Sequence, residues 1–479
     1  MKHIFSFFAA LLLFGALAGA KVQMPSVFSD NMVLQQQTEV ALWGSAKGKS
    51  VTISASWAPG KEVTVPVKRG KWTARLATPA AGGPYELKVS DGEELVLRNV
   101  LIGEVWFCSG QSNMTMPMRG FVSQPVQGAA EVIVSAKPSV PIRMCLVKRR
   151  PAISPEDDCE CSWKENTPDM VALTSATAYF FAKRLQETLD VPVGIITSDW
   201  GGTLIESWMS RETLENGFEN EFDLAFLDED KVPEFKPHRK PCTLYNGMVA
   251  PLTPFTFRGM IWYQGEANRS KPEQYTRLQT AYAKMMREVF QNPNAPFYFV
   301  QIAPYAYNGD TEKFASGYFY EAQQKTLELI PHSGMAPTID LGEEGTIHPC
   351  RKKEVGDRLA FLALADTYGM AGIDPHAPAY KSVSFNGAEA VVTFVAGKQG
   401  LAPMGRDLDG FEIAGPDKVF HPAKARVLER FTVRVSSDEV PDPVAVRYCF
   451  RNWGTGTLFN AFGIPALPFR TDDWDDLEK

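Results

Sequence analysis

The sequence predicts an α/β protein in which a parallel sheet, covered by helices on both faces, is flanked by two regions of β-sandwich type. In the middle of the chain, short apolar runs alternate with amphipathic stretches of helical period, as is typical of such a sheet. Towards each end, short alternating runs are separated by Gly, Pro and Lys-Gly turns, which favours antiparallel β structure.

Particular segments carry these predictions. The strand-like runs of the centre are residues 101–107, 193–196, 259–262 and 297–302, and the helix-like stretches are residues 176–189, 274–290 and 318–330. Near the C-terminus, Asn386-Gly387 lies between two alternating runs and predicts a hairpin turn. The charged, proline-containing stretch 228–240 is interpreted as an exposed insertion.

The chain has 479 residues, 44% of them apolar, and one core rarely extends beyond ~250 residues. We therefore predict four parts: a signal peptide at 1–20, an N-terminal β domain at 21–100, a catalytic α/β domain at 101–371 and a C-terminal β domain at 372–479. The signal peptide is indicated by Lys2, an apolar run over 7–17 and the small residues Ala18-Gly-Ala20. We expect an exported protein, periplasmic or extracellular, without membrane insertion.

The composition argues against several classes of function. The net charge of −7 is spread without blocks, so we expect no nucleic-acid partner. Seven irregularly spaced cysteines do not indicate a disulfide framework, and Cys159-Glu-Cys161 has no second ligand pair at a spacing typical of zinc sites. We expect neither a metal nor a cofactor.

A candidate nucleophile follows the first central strand, in Gly110-Gln111-Ser112-Asn113. Open α/β sheets place ligand chemistry at the carboxyl ends of their strands, although a lone serine there is more often a helix cap. A serine nucleophile needs a base. His348 lies in a loop between a strand-like run and an amphipathic helix, so it is the candidate, with a helix-capping role as the alternative.

Acyl transfer also needs donors for the developing oxyanion. Gly201-Gly202 follows the strand at 193–197 and allows a backbone N–H to approach a substrate. The segment after the strand at 259–262 offers the side chain of Gln264 or of Asn268. A glycine turn or a polar loop is common on its own. Together with the serine and the histidine, these two segments indicate one site.

These motifs resemble those of a known family. Gly110-Gln-Ser112-Asn-Met, Trp200-Gly-Gly-Thr, Trp262-Tyr-Gln-Gly-Glu-Ala-Asn268 and Ile347-His348-Pro349 look like the sequence blocks of sialate O-acetylesterases, within the SGNH hydrolases. The resemblance extends to Phe28-Ser-Asp-Asn-Met-Val-Leu-Gln35 near the start and to Leu458-Phe-Asn460 and Pro468-Phe-Arg470 near the end. It therefore covers nearly the whole mature chain.

The resemblance implies an SGNH-type sheet and a serine esterase that removes O-acetyl groups from sugars, most of all from O-acetylated sialic acids. It implies Ser112 as nucleophile, through an acetyl-enzyme intermediate, and His348 as base and then acid. The amides of Ser112 and Gly202, with the side chain of Gln264 or Asn268, would form the oxyanion hole. Gln111 and Glu266 are assigned to substrate binding, with Glu266 organising its loop rather than reacting.

The acid that would orient His348 stays open, because many relatives carry an acidic residue two or three positions before the histidine, where this chain has Gly345 and Thr346. Glu344 is the preferred candidate, while Glu343, Asp340 or a backbone carbonyl could serve instead. The aromatic residues near the motifs suit stacking on sugars but are more often core; they are Trp106, Trp200, Trp208, Trp262 and Tyr263.

Two other functions remain to be weighed. One is an esterase for acetylated polysaccharide such as xylan, which the sequence does not separate from a sialate esterase. The other is a non-catalytic carbohydrate-binding protein whose β domains act and whose serine site is inert. Hydrolysis of a simple acetyl ester, lost on Ser112→Ala, would separate the esterases from the binding protein.

Overall fold

The computed structural model describes residues 22–229, 231–311 and 313–475, so the predicted signal peptide lies outside it. The strands of the first half are β1 (Val33–Gln35), β2 (Glu39–Ser45), β3 (Ser50–Ala55), β4 (Val63–Pro66), β5 (Lys71–Ala77), β6 (Gly82–Ser90), β7 (Glu94–Gly110), β8 (Ile142–Leu146), β9 (Trp163–Glu165) and β10 (Val193–Asp199). Those of the second half are β11 (Gly259–Tyr263), β12 (Phe297–Val300), β13 (Ser333–Ala336), β14 (Ala379–Asn386), β15 (Glu389–Val395), β16 (Leu401–Ala402), β17 (Phe411–Ala414), β18 (Phe420–Pro422), β19 (Lys424–Glu429), β20 (Thr432–Ser436), β21 (Ala445–Tyr448), β22 (Phe459–Asn460) and β23 (Phe469–Arg470). The α-helices are α1 (Ser112–Thr115), α2 (Ala129–Val134), α3 (Pro168–Leu173), α4 (Ala176–Leu189), α5 (Arg211–Gly217), α6 (Pro272–Val289), α7 (Ala315–Leu329) and α8 (Lys352–Leu362).

The central sheet has the strand order β13-β12-β11-β7-β10-β8-β9. Neighbouring strands from β13 to β8 are parallel, and the edge strand β9 is antiparallel to β8. The sheet is therefore mixed, and the prediction of a parallel sheet is correct only for its central strands. Strands β11 and β12 are buried along their whole length and β10 up to its last residue, as expected of strands covered on both faces.

Helices cover both faces of this sheet because successive side chains of a strand point to opposite sides. On β7, Trp106 and Cys108 belong to one apolar core, which also contains residues of α4 and α8. Phe107, between them, belongs to the other core, which contains residues of α6 and α7. The predicted arrangement of helices around the sheet is confirmed.

The N-terminal strands are continuous with the central sheet. β7 pairs with β1 and β6 over its first part and with β10 and β11 over its second, so that eleven strands form one mixed sheet. β2 and β5 form a separate two-stranded sheet. The expected boundary between residues 100 and 101 thus falls inside a strand.

The C-terminal region contains three small sheets, with the strand orders β14-β15-β20-β19, β18-β17-β21-β23 and β16-β22. The predicted hairpin is present, since Asn386 pairs with Glu389 and Gly387 in the turn has a φ of 57°. Several sheets at this end agree with the expected β region. None of the helices in the described ranges has the length and apolar character needed to cross a membrane.

Candidate active site

The carboxyl ends of three central strands meet at one rim of the sheet. Gly110 at the end of β7 is in register with Asp199 of β10 on one side and with Tyr263 of β11 on the other. The three loops that carry the predicted site motifs begin there. This convergence follows from parallel pairing, which brings strand ends to the same edge.

Ser112 begins α1, two residues after Gly110, and is half-buried. Gly110 has a φ of 146°, and a Cβ on it would lie 2.1 Å from the carbonyl oxygen of Tyr263. Glycine is therefore required for β7 to turn into the serine loop against its neighbouring strand. In the part of the chain that the structure describes, the Ser112 hydroxyl makes no hydrogen bond.

The Gly201-Gly202 loop lies against this serine. A Cβ on Gly201 would lie 3.3 Å from Cβ of Ser112, so the loop backbone passes directly beside the predicted nucleophile. Gly202 follows with a φ of 73°, and its Cα faces open space. The exposed backbone of Gly202 is consistent with an amide that can approach a bound substrate.

The side chain of Asn113 links the serine loop to the histidine loop. Its Nδ2 donates to the carbonyl oxygen of Ile347 at 3.0 Å and to Oε1 of Glu266 at 2.5 Å. Because Asn113 follows Ser112 and Ile347 precedes His348, this bond places the two predicted catalytic residues next to a directly bonded pair. The structure thus joins the serine loop to the histidine loop through two residues that are 234 positions apart in the chain.

The ring of His348 is held by an amide side chain. Its Nδ1 lies 2.8 Å from Oε1 of Gln124, and the ring of Phe121 contacts it edge-on at 5.2 Å between centroids. If Nδ1 carries the proton and donates to Gln124, Nε2 is left as the acceptor that a general base needs. Glu344 is exposed and contributes its backbone carbonyl to the amide of Ala306.

The other two candidate acids are engaged elsewhere. Oε1 of Glu343 accepts a hydrogen bond from the amide of Cys350 at 2.6 Å. Asp340 accepts two bonds from Arg358, at 2.7 and 2.6 Å. The position that a triad acid would occupy at Nδ1 is taken by Gln124.

The pKa of His348 is lowered to about 4, chiefly by burial and secondarily by the positive charge of Lys352. A lowered pKa keeps the imidazole neutral, and so able to accept a proton, through the physiological range. This is the protonation state that a general base for serine requires.

The two candidate side chains for the oxyanion hole differ in whether their NH2 group has an N–H free to donate to a ligand. Gln264 is fully buried, and its Nε2 already contacts three acceptors: Oε1 of Gln111, the carbonyl oxygen of Thr203 and Oδ1 of Asn268. Nδ2 of Asn268 makes one hydrogen bond, to Oε2 of Glu206 at 3.0 Å. Since an amide NH2 has two donors, Asn268 retains one for a ligand.

The two residues predicted to bind substrate are both buried. Gln111 is 3% exposed, and its Oε1 also lies within reach of the amides of Gly265 and Ala267. Glu266 is 8% exposed and accepts from Asn113. In these positions both side chains organise the loops of the rim.

One aromatic side chain remains available beside the serine. Trp200 is half-buried and stacks on the imidazole of His238, with ring centroids 4.9 Å apart and planes 11° from parallel. The guanidinium of Arg149 lies 5.8 Å from the Trp200 ring. The other aromatic residues considered for sugar stacking are at most 1% exposed: Trp106, Trp208, Trp262 and Tyr263.

Three residues at this rim were not identified from the sequence. Gln124 is 224 positions from His348 and carries no motif. Glu206 is buried in the turn after the glycine loop. Its only signal in the sequence is an acidic residue close to Trp208. His238 belongs to the stretch interpreted as an exposed insertion, whose end instead folds back onto Trp200.

Comparisons with known proteins find one family model and several relatives. A family model of carbohydrate esterases, described as sialic acid-specific acetylesterases, matches residues 102–364, more than half of the chain. Mouse sialate O-acetylesterase is 28% identical over 523 aligned positions, covering 94% of each chain, and the human protein is 26% identical, covering 94% of this chain and 93% of its own. A carbohydrate acetylesterase from Xanthomonas citri superposes with a TM-score of 0.83 at 34% identity, covering 95% of this chain and all of that one.

The α/β fold and these relatives define a carbohydrate esterase, an enzyme that removes O-acetyl groups from sugars. More narrowly, the chain belongs to the family of sialic acid-specific acetylesterases. The resemblance seen in the sequence motifs is thereby confirmed, and it extends through both β regions.

Proposed function

We propose that this protein hydrolyses O-acetyl esters of sialic acids with Ser112 as nucleophile and His348 as base. The observation that carries the proposal is the Asn113–Ile347 hydrogen bond, which joins the serine and histidine loops at one rim of the sheet. Gln124 occupies Nδ1 of His348, which leaves Nε2 as the nitrogen that can act on the serine. Catalytic hydrogen bonds are often formed only when substrate binds, so we expect the Ser112–His348 contact in the complex.

The reaction divides into two acyl transfers. Nε2 of His348 takes the Ser112 proton as Oγ attacks the acetyl carbonyl carbon, and the imidazolium then gives that proton to the leaving sugar oxygen. Water, deprotonated by the same nitrogen, then attacks the carbonyl carbon of the acetyl-serine. The bond from that carbon to Oγ breaks, the imidazolium returns the proton to Oγ of Ser112, and acetate leaves. The oxyanion of each tetrahedral intermediate would accept from the amides of Ser112 and Gly202 and from Nδ2 of Asn268.

Release of acetate from an O-acetylated sialic acid tests this proposal. We expect turnover by the wild type and a loss of at least about a thousandfold in Ser112→Ala, since removing a triad member costs a large part of the rate. An inactive wild type, or a Ser112→Ala variant as active as the wild type, would contradict the assignment. Turnover of acetylxylan alone would favour the polysaccharide esterase.

The charge around Trp200 favours an acidic sugar over a neutral one. Burial, and then the positive charges of Arg239, Lys236 and Arg149, lower the pKa of His238. Across the described ranges, no carboxylate forms an ion pair with Lys236 or Arg239. Arg149 pairs with Asp199 at 3.9 Å. A sugar carboxylate bound beside Trp200 would therefore serve as a counter-ion for Lys236 and Arg239.

A substrate pair isolates this effect. We expect kcat/KM of the wild type to be about fivefold higher for the sialic acid than for its carboxylate methyl ester, near the upper range for exposed ion pairs. The double variant Lys236→Gln/Arg239→Gln should remove most of the difference. Lys148→Gln is the matched control, because Lys148 is exposed and paired with Glu160. Equal rates on both substrates would favour a neutral sugar.

A further inference from the structure

Lys352 is a buried cation at a position that helix electrostatics disfavour. It begins α8 and is 0% exposed. Lysine is almost never fully buried without a partner, and the N-terminus of a helix carries partial positive charge. Departures from local rules of this kind are expected at functional sites.

The ammonium of Lys352 contacts the side chain that links the serine and histidine loops. Its Nζ donates to Oδ1 of Asn113 at 2.5 Å. Because an ammonium can only donate, this contact turns the amide oxygen of Asn113 toward Lys352. The NH2 group of Asn113 is then directed to Glu266 and to the carbonyl oxygen of Ile347. The orientation on which the loop-to-loop bond depends is therefore fixed by Lys352.

The groups that face the ammonium come from three rim loops and one strand. They are Asn113, Tyr263, Glu266, Glu343 and Cys350. Burial lowers the pKa of Lys352 to about 7, and the carboxylates act in the opposite direction. The groups that face the imidazole of His348 are Phe121, Gln124 and Lys352.

We propose that Lys352 is a positioning residue for the hydrolysis, which acts through Asn113 to hold the loop of Ser112 and the loop of His348 at their working separation. This proposal rests on the proposed function, since it requires those two residues to be nucleophile and base. Lys352 is fully buried beneath the loops and reaches the substrate only through its neighbours. Its loss should therefore affect kcat rather than KM.

Lys352→Met tests the role, because it removes the donor and the charge while keeping a long side chain. We expect kcat on an acetyl ester to fall about a hundredfold, the cost of a misplacement near 1 Å, with KM changed less than about twofold. Lys353→Met is the matched control, since Lys353 is exposed and pairs with Asp357 on the same helix. It should keep wild-type kinetics.

The pH profile of the Lys352→Met variant distinguishes the loss of a positioning residue that also carries a charge near His348 from a general loss of structure. A base is active when neutral, so kcat/KM falls as pH drops through the pKa of His348. The charge of Lys352 helps to lower that pKa, and its removal should raise it. The acid limb of Lys352→Met should therefore move to higher pH. A purely structural defect would lower the rate equally at every pH and would contradict the proposal.

A double-mutant comparison completes the test. If Lys352 acts through Asn113, the pair Lys352→Met/Asn113→Ala should be about as slow as Asn113→Ala alone, whereas multiplied losses would contradict the proposal. Lys352→Gln keeps a hydrogen-bond donor but removes the charge. It should shift the acid limb of the pH profile to higher pH with a smaller loss of kcat. If Lys352→Met does not fold, the kinetics of Lys352→Gln test the positioning role instead. An active wild type with unaffected Lys352 variants counts against Lys352 alone, while an inactive wild type counts against the proposed function.

Discussion

The imidazole of His348 is oriented by a neutral amide. Oε1 of Gln124 can accept the Nδ1 proton and fix the tautomer, as a carboxylate would. An amide cannot stabilise an imidazolium by charge, and burial together with Lys352 disfavours the protonated ring further. At the scale of single residues, the site therefore combines a well-oriented base with a weak tendency to bind a proton.

Replacement of Gln124 tests its orienting role. We expect Gln124→Ala to lower kcat by about a hundredfold, less than the ~10⁴ lost on amidating a triad aspartate, because no charge is removed. The exposed Glu344 provides the contrast, and Glu344→Gln should stay within about twofold of the wild type. Steady-state kinetics on a simple acetyl ester measures both. A severe loss in Glu344→Gln alone would restore the carboxylate as the orienting group.

The pH dependence follows from the same ring. The pKa of His348 lies below its usual range, near 4, and the base works in its neutral form. Activity should therefore persist on acidification past pH 6, where an unperturbed histidine would already be largely protonated. The acid limb of kcat/KM, measured between pH 3.5 and 8, should lie below pH 5.5. A limb at pH 6.5 would mean that the ring is as solvated as in a free peptide.

At the scale of elements, the strands and helices of the centre were predictable from the sequence. α4 has the bounds that its apolar period indicates, and β7, β10, β11 and β12 begin within the apolar runs or include them. Their burial on both faces makes the runs nearly continuous, a strong local signal. The serine, glycine and histidine loops were predictable for the same reason, because each follows a recognisable strand or precedes a recognisable helix.

The partners of these residues were not predictable in the same way. Gln124 meets His348 only because two irregular loops fold over the rim, and no periodicity marks such loops. Glu344 was favoured because it is near His348 in sequence, but its side chain is exposed. Likewise, the position of Asn268 relative to Gln264 depends on a four-residue turn whose hydrogen bonds are visible only in three dimensions.

Gly110 shows how closely the elements constrain the site. Gly110→Ala would force a Cβ against the carbonyl oxygen of Tyr263, so either β7 or β11 must shift. We expect a loss of about 2–5 kcal/mol in unfolding free energy from the clash and the strained φ, together with reduced activity. Gly60→Ala is the control, since Gly60 also has a positive φ but faces open space. It should cost about 1 kcal/mol, as measured by denaturant titration.

At the scale of the whole molecule, a buried ion pair anchors the C-terminal region. Arg447 and Asp472 are 0% and 1% exposed at their side chains and form two hydrogen bonds, at 2.9 and 2.7 Å. The guanidinium also lies 4.4 Å from the ring centroid of Phe314, just before α7, and 4.3 Å from that of Phe420. The contact with Phe314 ties the terminal β sheets to the helical layer of the central domain.

Removing one partner of this pair leaves a buried charge without compensation. We expect Arg447→Met to destabilise the fold by about 3–5 kcal/mol, seen as a lower midpoint of thermal denaturation. Arg447→Met/Asp472→Asn should recover part of the loss, because the orphaned charge is gone. The exposed pair of Arg426 with Asp407 is the comparison, and Arg426→Met should leave the midpoint unchanged.

The continuity of β7 limits how such a chain can be recombined. A truncated chain beginning at residue 101 would start in mid-strand and lose the backbone partners that β1 and β6 supply along its edge. The strand that ends at the serine loop also pairs, over its first part, with the strands of the N-terminal region. Exchange of that region between relatives should therefore succeed only when the crossover point lies before residue 94 or beyond the serine loop. In either case all of β7 comes from a single parent sequence.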